Sequence, residues 1–155
     1  MTRLTIILIS LLLTIFDCAA QISEYRQARK LYDKGMFSRS KMIFDQVADL
    51  SERKADPAGY ALLCDVRAGV PGYVESMETF MVRYPYSVLI PQVRFHHALN
   101  LFEAEDYKAA LEQFVQIEED NLYRVQRDEF VFKMAYCNLE NGNIYSARDG
   151  FREVE

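Results

Sequence analysis

The sequence predicts an all-α protein in which a two-helix unit occurs four times. The unit becomes visible when Phe37, Val70, Tyr107 and Ile144 are aligned, because the same residue types then recur at fixed offsets. An alanine stands nine residues before each aligned position: Ala28, Ala61, Ala98 and Ala135. A large apolar residue stands seven residues after it: Phe44, Met77, Phe114 and Phe151. The spacings of 33, 37 and 37 residues lie in the range of stacked two-helix units.

The residue types suit two helices joined by a turn. A small residue at the alanine position allows the first helix to approach its partner closely, and the aligned residue covers the turn. In the second helix, the positions seven and ten after it lie on one face, as a buried stripe requires. The position three after it holds Ser40, Tyr73, Ala110 and Ala147, and the position ten after it holds Val47, Phe80, Ile117 and Val154.

Turn residues delimit the first two pairs. Gly35 follows the first helix and supplies the left-handed residue with which many helices end. Asp56 is predicted to cap the third helix, with Pro57 at its first position. Pro85 follows the fourth helix. The predicted helices are 23–34, 38–50, 57–67 and 72–83.

The last two pairs give the clearest copies of the unit. Asp120 and Asn121 are predicted to cap the seventh helix, and Gly142 lies in the turn after it. The predicted helices are 88–103, 107–118, a helix that ends near 140, and one that begins near 145.

These residues resemble the tetratricopeptide repeat pattern. The match is strongest over 98–114 and 135–151, and weakest at the turn 68–72, where Tyr73 follows in place of the family's alanine. The family's tryptophan is absent, since the chain has no Trp. The resemblance implies a right-handed solenoid with repeats at about 21–54, 55–87, 91–121 and 128–155; a generic helical bundle is the alternative.

The chain stops inside the last predicted helix, and no polar capping helix follows. A terminal repeat normally needs such a cap, because the last hairpin otherwise exposes the face that packs on its successor. The sequence is therefore expected to be the N-terminal piece of a longer repeat protein or a truncated product. Self-association through the uncapped hairpin is the corresponding expectation.

Residues 1–20 have the layout of a secretory signal peptide, so the repeat domain is predicted to span 21–155. Arg3 precedes an apolar stretch over 4–16, and Cys18-Ala19-Ala20 offers small residues for cleavage before Gln21. Two alternatives stay open: lipidation at Cys18, which Asp17 before it disfavours, and an uncleaved anchor. Any contact with a membrane is expected through this segment alone.

Composition and motifs point away from nucleic acid and from catalysis. The net charge is −5 and the pI about 5.1, without the basic stripe of nucleic-acid-binding proteins. His96 and His97 have no metal-ligand type four residues away, and the acids at 118–120 are interpreted as a solvated turn. We predict no enzyme, metal or cofactor, and interpret Cys64 and Cys137 as buried packing residues too far apart for a disulfide.

By resemblance, the first helix of each repeat lines a concave groove that binds a protein or peptide. The predicted groove residues, with Ala58 beside them, are Tyr25, Arg29, Tyr32, Leu62, Asp65, Phe95, Leu99, Phe102, Phe132, Tyr136 and Leu139. Six of the twelve are aromatic, and rigid rings are effective interface anchors. The alternative is that some rings fill gaps between successive first helices. The Lys-Asn clamp with which some family members hold a carboxylate is not present.

The signal-like segment, together with Tyr84-Pro85-Tyr86-Ser87 after the fourth helix, resembles exported bacterial envelope repeat proteins, and this resemblance implies a function. The chain is expected to be a scaffold in the periplasm or at the periplasmic face of a bacterial outer membrane, where it docks a protein partner. The alternatives are a structural segment of a longer solenoid and an accessory domain of a larger envelope protein.

Overall fold

The structure is a computed structural model that describes residues 20–50 and 54–154, and in these ranges the protein is all-α, without a β-strand. The described residues divide into two compact units, unit 1 with those up to residue 64 and unit 2 with those from residue 65 onward. The described ranges contain α1 (20–33), α2 (Phe37–Leu50), α3 (Ala55–Arg67), α4 (Tyr73–Arg83), α5 (Ile90–Glu103), α6 (Tyr107–Phe114), a 3₁₀ helix (Glu119–Asn121), α7 (Arg124–Glu140) and α8 (Ile144–Glu153). The predicted signal segment, apart from residue 20, lies outside the described residues.

The repeated alanines occupy the positions that the sequence predicts for close helix approach. All four are buried: Ala28, Ala61, Ala98 and Ala135. In unit 1, the Ser40 hydroxyl of α2 donates a 2.8 Å hydrogen bond to the carbonyl of Ala28 in α1. Ser40 is fully buried, and this bond satisfies its hydroxyl inside the core. A serine can therefore replace the small apolar residue found at the equivalent positions Ala110 and Ala147.

The turns within three of the four described helix pairs share one backbone conformation. The residue two before the second helix has a positive φ: Gly35 at 73°, Glu105 at 61° and Gly142 at 80°. Glycine adopts this conformation without a steric penalty, whereas Glu105 is the non-glycine exception among the described residues. In the second pair the positive φ falls on Gly69 and Gly72, and α4 starts at Tyr73 instead of Val70. The irregular turn predicted at 68–72 is thus confirmed.

Two predicted N-caps are wrong. Asp56 lies inside the first turn of α3, because the Lys54 carbonyl already accepts from the Ala58 amide at 3.0 Å. An acid there is favoured by the helix dipole. Asp120 does not cap α7 but pairs with Arg127 at 3.2 Å. The N-cap of α7 is Tyr123, whose amide donates to the side chain of Gln126 at 3.1 Å.

Helix α6 also differs from the prediction, since it ends at Phe114 and not near 118. The Ile117 amide donates to the Phe114 carbonyl, three residues back, at 3.0 Å. This tighter turn lets Ile117 and Leu122 enter the core of unit 2, where both are buried. The burial of two apolar side chains explains why the helix stops early.

The core of unit 2 is built from α5, α6 and α7, with α8 packed on α7. Phe114 of α6 is fully buried, and its ring lies 6.4 Å from that of Phe95 and 5.7 Å from that of Phe130. Cys137 lies in the same core, and burial raises the pKa of its thiol to about 11. Cys64 is likewise buried, so both cysteines occupy the packing positions that the sequence predicts.

Helix α8 approaches α7 at Gly150. A Cβ at this position would lie 2.9 Å from the Cβ of Ala135, closer than packed carbons tolerate. Replacing Gly150 by alanine raises helix propensity by about 1 kcal/mol, but overpacking costs about 1–3 kcal/mol. We therefore expect Gly150→Ala to lower the free energy of unfolding by about 1 kcal/mol. Urea denaturation measures it, with the exposed Ser146→Ala in the same helix as the control for propensity. A stabilised Gly150→Ala protein would contradict the close approach.

None of the helices in the described part of the chain combines the length and the apolar character needed to cross a membrane.

Candidate functional site

In unit 1, the predicted groove residues of α1 surround one ring of α3. Tyr60 is buried, and its ring lies 5.5 Å from that of Tyr32 and 6.2 Å from that of Tyr25, in both cases edge to face. The Arg29 guanidinium lies 4.0 Å above the same ring, which is a cation–π contact. Tyr32 and Leu62 are themselves buried, whereas Tyr25 and Arg29 are half-buried. In unit 1 these side chains chiefly fill the space between helices, as the alternative interpretation holds.

In unit 2, Phe95 does not line a surface. Only 1% of the residue is exposed, and its ring belongs to the core around Phe114. The prediction that Phe95 contacts a partner therefore needs correction: α6 and α7 supply the residues that cover it. Leu99 is half-buried against the same core, and Asp65 is half-buried at the end of α3, where its carbonyl accepts from the Val70 amide.

The remaining predicted groove residues of unit 2 come together on α5 and α7. The ring of Phe102 lies 5.4 Å from those of Tyr107 and Tyr136, and the two tyrosine rings are 5.5 Å apart. All three are half-buried, so each ring has a packed side and an accessible side. Three mutually contacting rings form a rigid apolar surface with little side-chain entropy left to lose on binding.

The same face of α7 continues with two exposed apolar residues. Phe132 and Leu139 precede and follow Tyr136 by four and three residues, a spacing that places them on one side of a helix. Phe132 is 45% exposed and Leu139 40% exposed, although Phe132 also touches Phe151 of α8 edge to face. We call this surface the aromatic face and define it as Phe102, Tyr107, Phe132, Tyr136 and Leu139.

One lysine, Lys133, lies on the aromatic face, and acidic residues lie beside it. The Lys133 ammonium lies 3.9 Å above the ring of Phe102 and 3.1 Å from a carboxylate oxygen of Glu103. The pKa of the Tyr107 hydroxyl is raised by desolvation, and further by Tyr136 and the carboxylates of Glu105 and Glu140. A side-chain hydrogen bond with Tyr136 raises the pKa in the same direction, so the two hydroxyls as well as the two rings are in contact.

A polar cluster in unit 2 joins the end of α3 to α4 and α5. The Tyr73 hydroxyl lies 2.9 Å from Nδ1 of the buried His97. The Asn100 amide donates both to the Val66 carbonyl at 2.8 Å and to the Tyr73 oxygen at 3.3 Å. The Tyr73 oxygen accepts from Asn100, and the tautomer of the His97 imidazole sets which partner donates in the contact between the hydroxyl and Nδ1. The tyrosine that departs from the repeat pattern thus has a hydrogen-bonding role here.

Both histidines of α5 resist protonation in the folded state. Burial, followed by the positive charge of Arg67, lowers the pKa of His96 to about 4. Burial, followed by Arg94, also lowers the pKa of His97. Because an unfolded chain protonates histidine near 6.5, acidification between pH 6.5 and about 4 favours the unfolded state.

We therefore expect the free energy of unfolding to fall by about 2–3 kcal/mol over this window because of His96. Well above pH 6.5, His96 is neutral in both the folded and the unfolded state, and its effect on stability disappears. Denaturation at a series of pH values measures it, and His96→Gln provides the comparison because it removes the titrating group but not the carboxylates. A difference between the two proteins that is constant with pH would contradict the depressed pKa.

In the described ranges, no group of three or more His, Cys, Asp or Glu side chains is placed to hold a metal ion. Comparison of the chain with protein-family models, with curated proteins and with solved structures gave no match. The candidate site is therefore defined by its own geometry.

Sequence reasoning missed three residues of these sites. The repeat alignment places Tyr107 at the turn, yet its ring joins the aromatic face. Lys133 carried no signal by itself, although a lysine three residues before Tyr136 lies one turn away on the same helix. Tyr60 precedes the repeated alanine of the second pair by one residue, a position that the repeat pattern leaves unspecified.

Proposed function

We propose that the chain is an exported scaffold of the tetratricopeptide type that binds a segment of a protein partner through the aromatic face. The repeated residue pattern and the corresponding order of helix pairs support the repeat architecture, and the signal-like residues 1–20 support export to a bacterial cell envelope. The proposed cellular location is the periplasm or the periplasmic face of the outer membrane.

One observation carries the docking role. Phe132 and Leu139 remain 45% and 40% exposed beside the half-buried rings of Phe102 and Tyr136. Isolated exposed apolar residues are ordinary on protein surfaces, but a group of aromatic and apolar side chains on the neighbouring helices α5 and α7 is typical of interaction sites. In unit 1, by contrast, the equivalent residues of α1 pack on Tyr60.

The test is site-specific photo-crosslinking in a bacterial host. A photoreactive phenylalanine analogue at position 132 is expected to capture a defined partner. The same analogue at position 139 is also expected to capture it, and Phe132→Ala is expected to abolish the capture at position 139. The control analogue at Val82 lies on an 83% exposed position of α4 outside the aromatic face. Equal capture by the analogues at positions 132 and 82, or crosslinks only between copies of this chain, would favour a structural segment over a scaffold.

A further inference from the structure

The charge of the chain is distributed unevenly, and unit 2 carries its acidic excess. Between residues 65 and 155 there are sixteen Asp and Glu against nine Lys and Arg, a net charge of −7, although the whole chain has −5. A field of this sign attracts cationic segments and accelerates their encounter. It also opposes the approach of a second copy of the same unit.

Three of these acids lie at the edge of the aromatic face. Glu103 ends α5, and its side chain is 73% exposed although it pairs with Lys133. Glu105 lies in the following turn and Glu140 at the end of α7, both exposed. Glu105 precedes Tyr107 by two residues, and Glu140 follows Tyr136 by four residues, about one turn along α7. The rings and the carboxylates therefore form one surface that is both aromatic and negatively charged.

The contacts of Lys133 show that the aromatic face can bind a cationic side chain. Its ammonium group lies over the ring of Phe102 and bonds to Glu103, so one ring and one carboxylate hold one cation. Tyr107 and Tyr136, with Glu105 and Glu140 nearby, repeat the same combination of ring and carboxylate. Rings attract cations through their faces, and adjacent carboxylates add to that attraction.

We infer that the aromatic face binds a cationic segment of a partner, in which Lys or Arg side chains alternate with apolar residues. The cations meet Tyr107, Tyr136 and their carboxylates, and the apolar residues cover Phe132 and Leu139. This inference rests on the proposed docking function and specifies the chemical class of the partner.

The experiment measures binding of three synthetic peptides to the full chain by fluorescence anisotropy. The probes are a short alternating lysine–leucine peptide, the same peptide with glutamine for lysine, and the same with glutamate for lysine. We expect the lysine peptide to bind at least about tenfold more tightly than the glutamine peptide, and added salt to weaken it. The glutamate peptide is expected not to bind.

Matched variants distinguish specific binding at the aromatic face from non-specific attraction between a cationic peptide and an acidic protein. Glu105→Gln with Glu140→Gln removes two carboxylates at the aromatic face, and Glu78→Gln with Glu112→Gln removes two exposed carboxylates on α4 and α6. The first pair is expected to weaken the lysine peptide about tenfold, and the second less than about twofold. Equal weakening by both pairs would overturn the inference.

Other outcomes distinguish this inference from the docking function on which it rests. If the glutamine peptide binds as tightly as the lysine peptide and Phe132→Ala weakens both, the cationic class is wrong while the docking surface stands. If sedimentation shows a dimer that Phe132→Ala dissociates, the occupant is a second copy and the inference fails. If no peptide binds and crosslinking at position 132 captures nothing, the docking function itself fails.

Discussion

Replacing Phe95 by alanine is expected to lower the free energy of unfolding of unit 2 by about 3–5 kcal/mol, the usual cost of deleting a buried phenylalanine ring. Phe95 is 1% exposed, and its ring packs against Phe114 in a core that α5, α6 and α7 share. The loss has two parts: the apolar surface is no longer buried, and the neighbouring side chains leave a cavity that they cannot fill. Urea denaturation followed by far-ultraviolet circular dichroism measures the change.

Phe132→Ala is the matched control, because Phe95 and Phe132 each stand three residues before a repeated alanine. Phe132 is 45% exposed, so its truncation is expected to cost only about 1 kcal/mol while it reduces partner capture. Similar losses of stability in the two variants would show that both positions have one structural role. A stable Phe95→Ala protein with reduced capture would restore Phe95 to the binding surface.

The helix order of this protein is readable from its sequence because it depends on local signals. The repeated small residues, the glycine turns and the apolar stripe of each second helix are all separated by fixed short distances along the chain. Gly35 and Gly142 adopt the left-handed conformation expected of them, and α6 begins at Tyr107 as predicted. A solenoid of tetratricopeptide type remains a prediction from that pattern.

The distinction between core and surface is less readable, because it depends on which side chains arrive from other helices. Phe95 and Phe132 have the same repeat position but different burial, since α6 and α7 cover Phe95. The same limit explains Tyr73, whose departure from alanine is understandable only once His97 and Asn100 are placed beside it. The caps of α3 and α7 were missed because backbone geometry, and not the most polar residue, decides where each helix begins.

Replacing Tyr60 by alanine is the second change for which we expect a loss of about 3–5 kcal/mol, and it acts in unit 1. Tyr60 is 6% exposed and stacks on Phe44 with ring centres 5.3 Å apart. The ring also contacts Tyr25 and Tyr32, and it holds the guanidinium of Arg29. Its removal therefore opens a cavity between three helices and leaves a half-buried cation without its aromatic partner.

Hydrogen exchange resolved by segment is the appropriate measurement, because it reports α1 and α2 separately from unit 2. In Tyr60→Ala we expect amides of α1 and α2 to lose protection, whereas Tyr60→Leu, which keeps much of the apolar volume but no ring, is expected to lose less. Tyr86→Ala is the control, since Tyr86 is 97% exposed and its truncation should change stability by less than about 0.5 kcal/mol. Unchanged protection of α1 and α2 in Tyr60→Ala would mean that these helices are held together without the ring. Loss of protection confined to α1, which carries Tyr25, Arg29 and Tyr32, would instead identify the attachment of that helix as the main contribution of Tyr60.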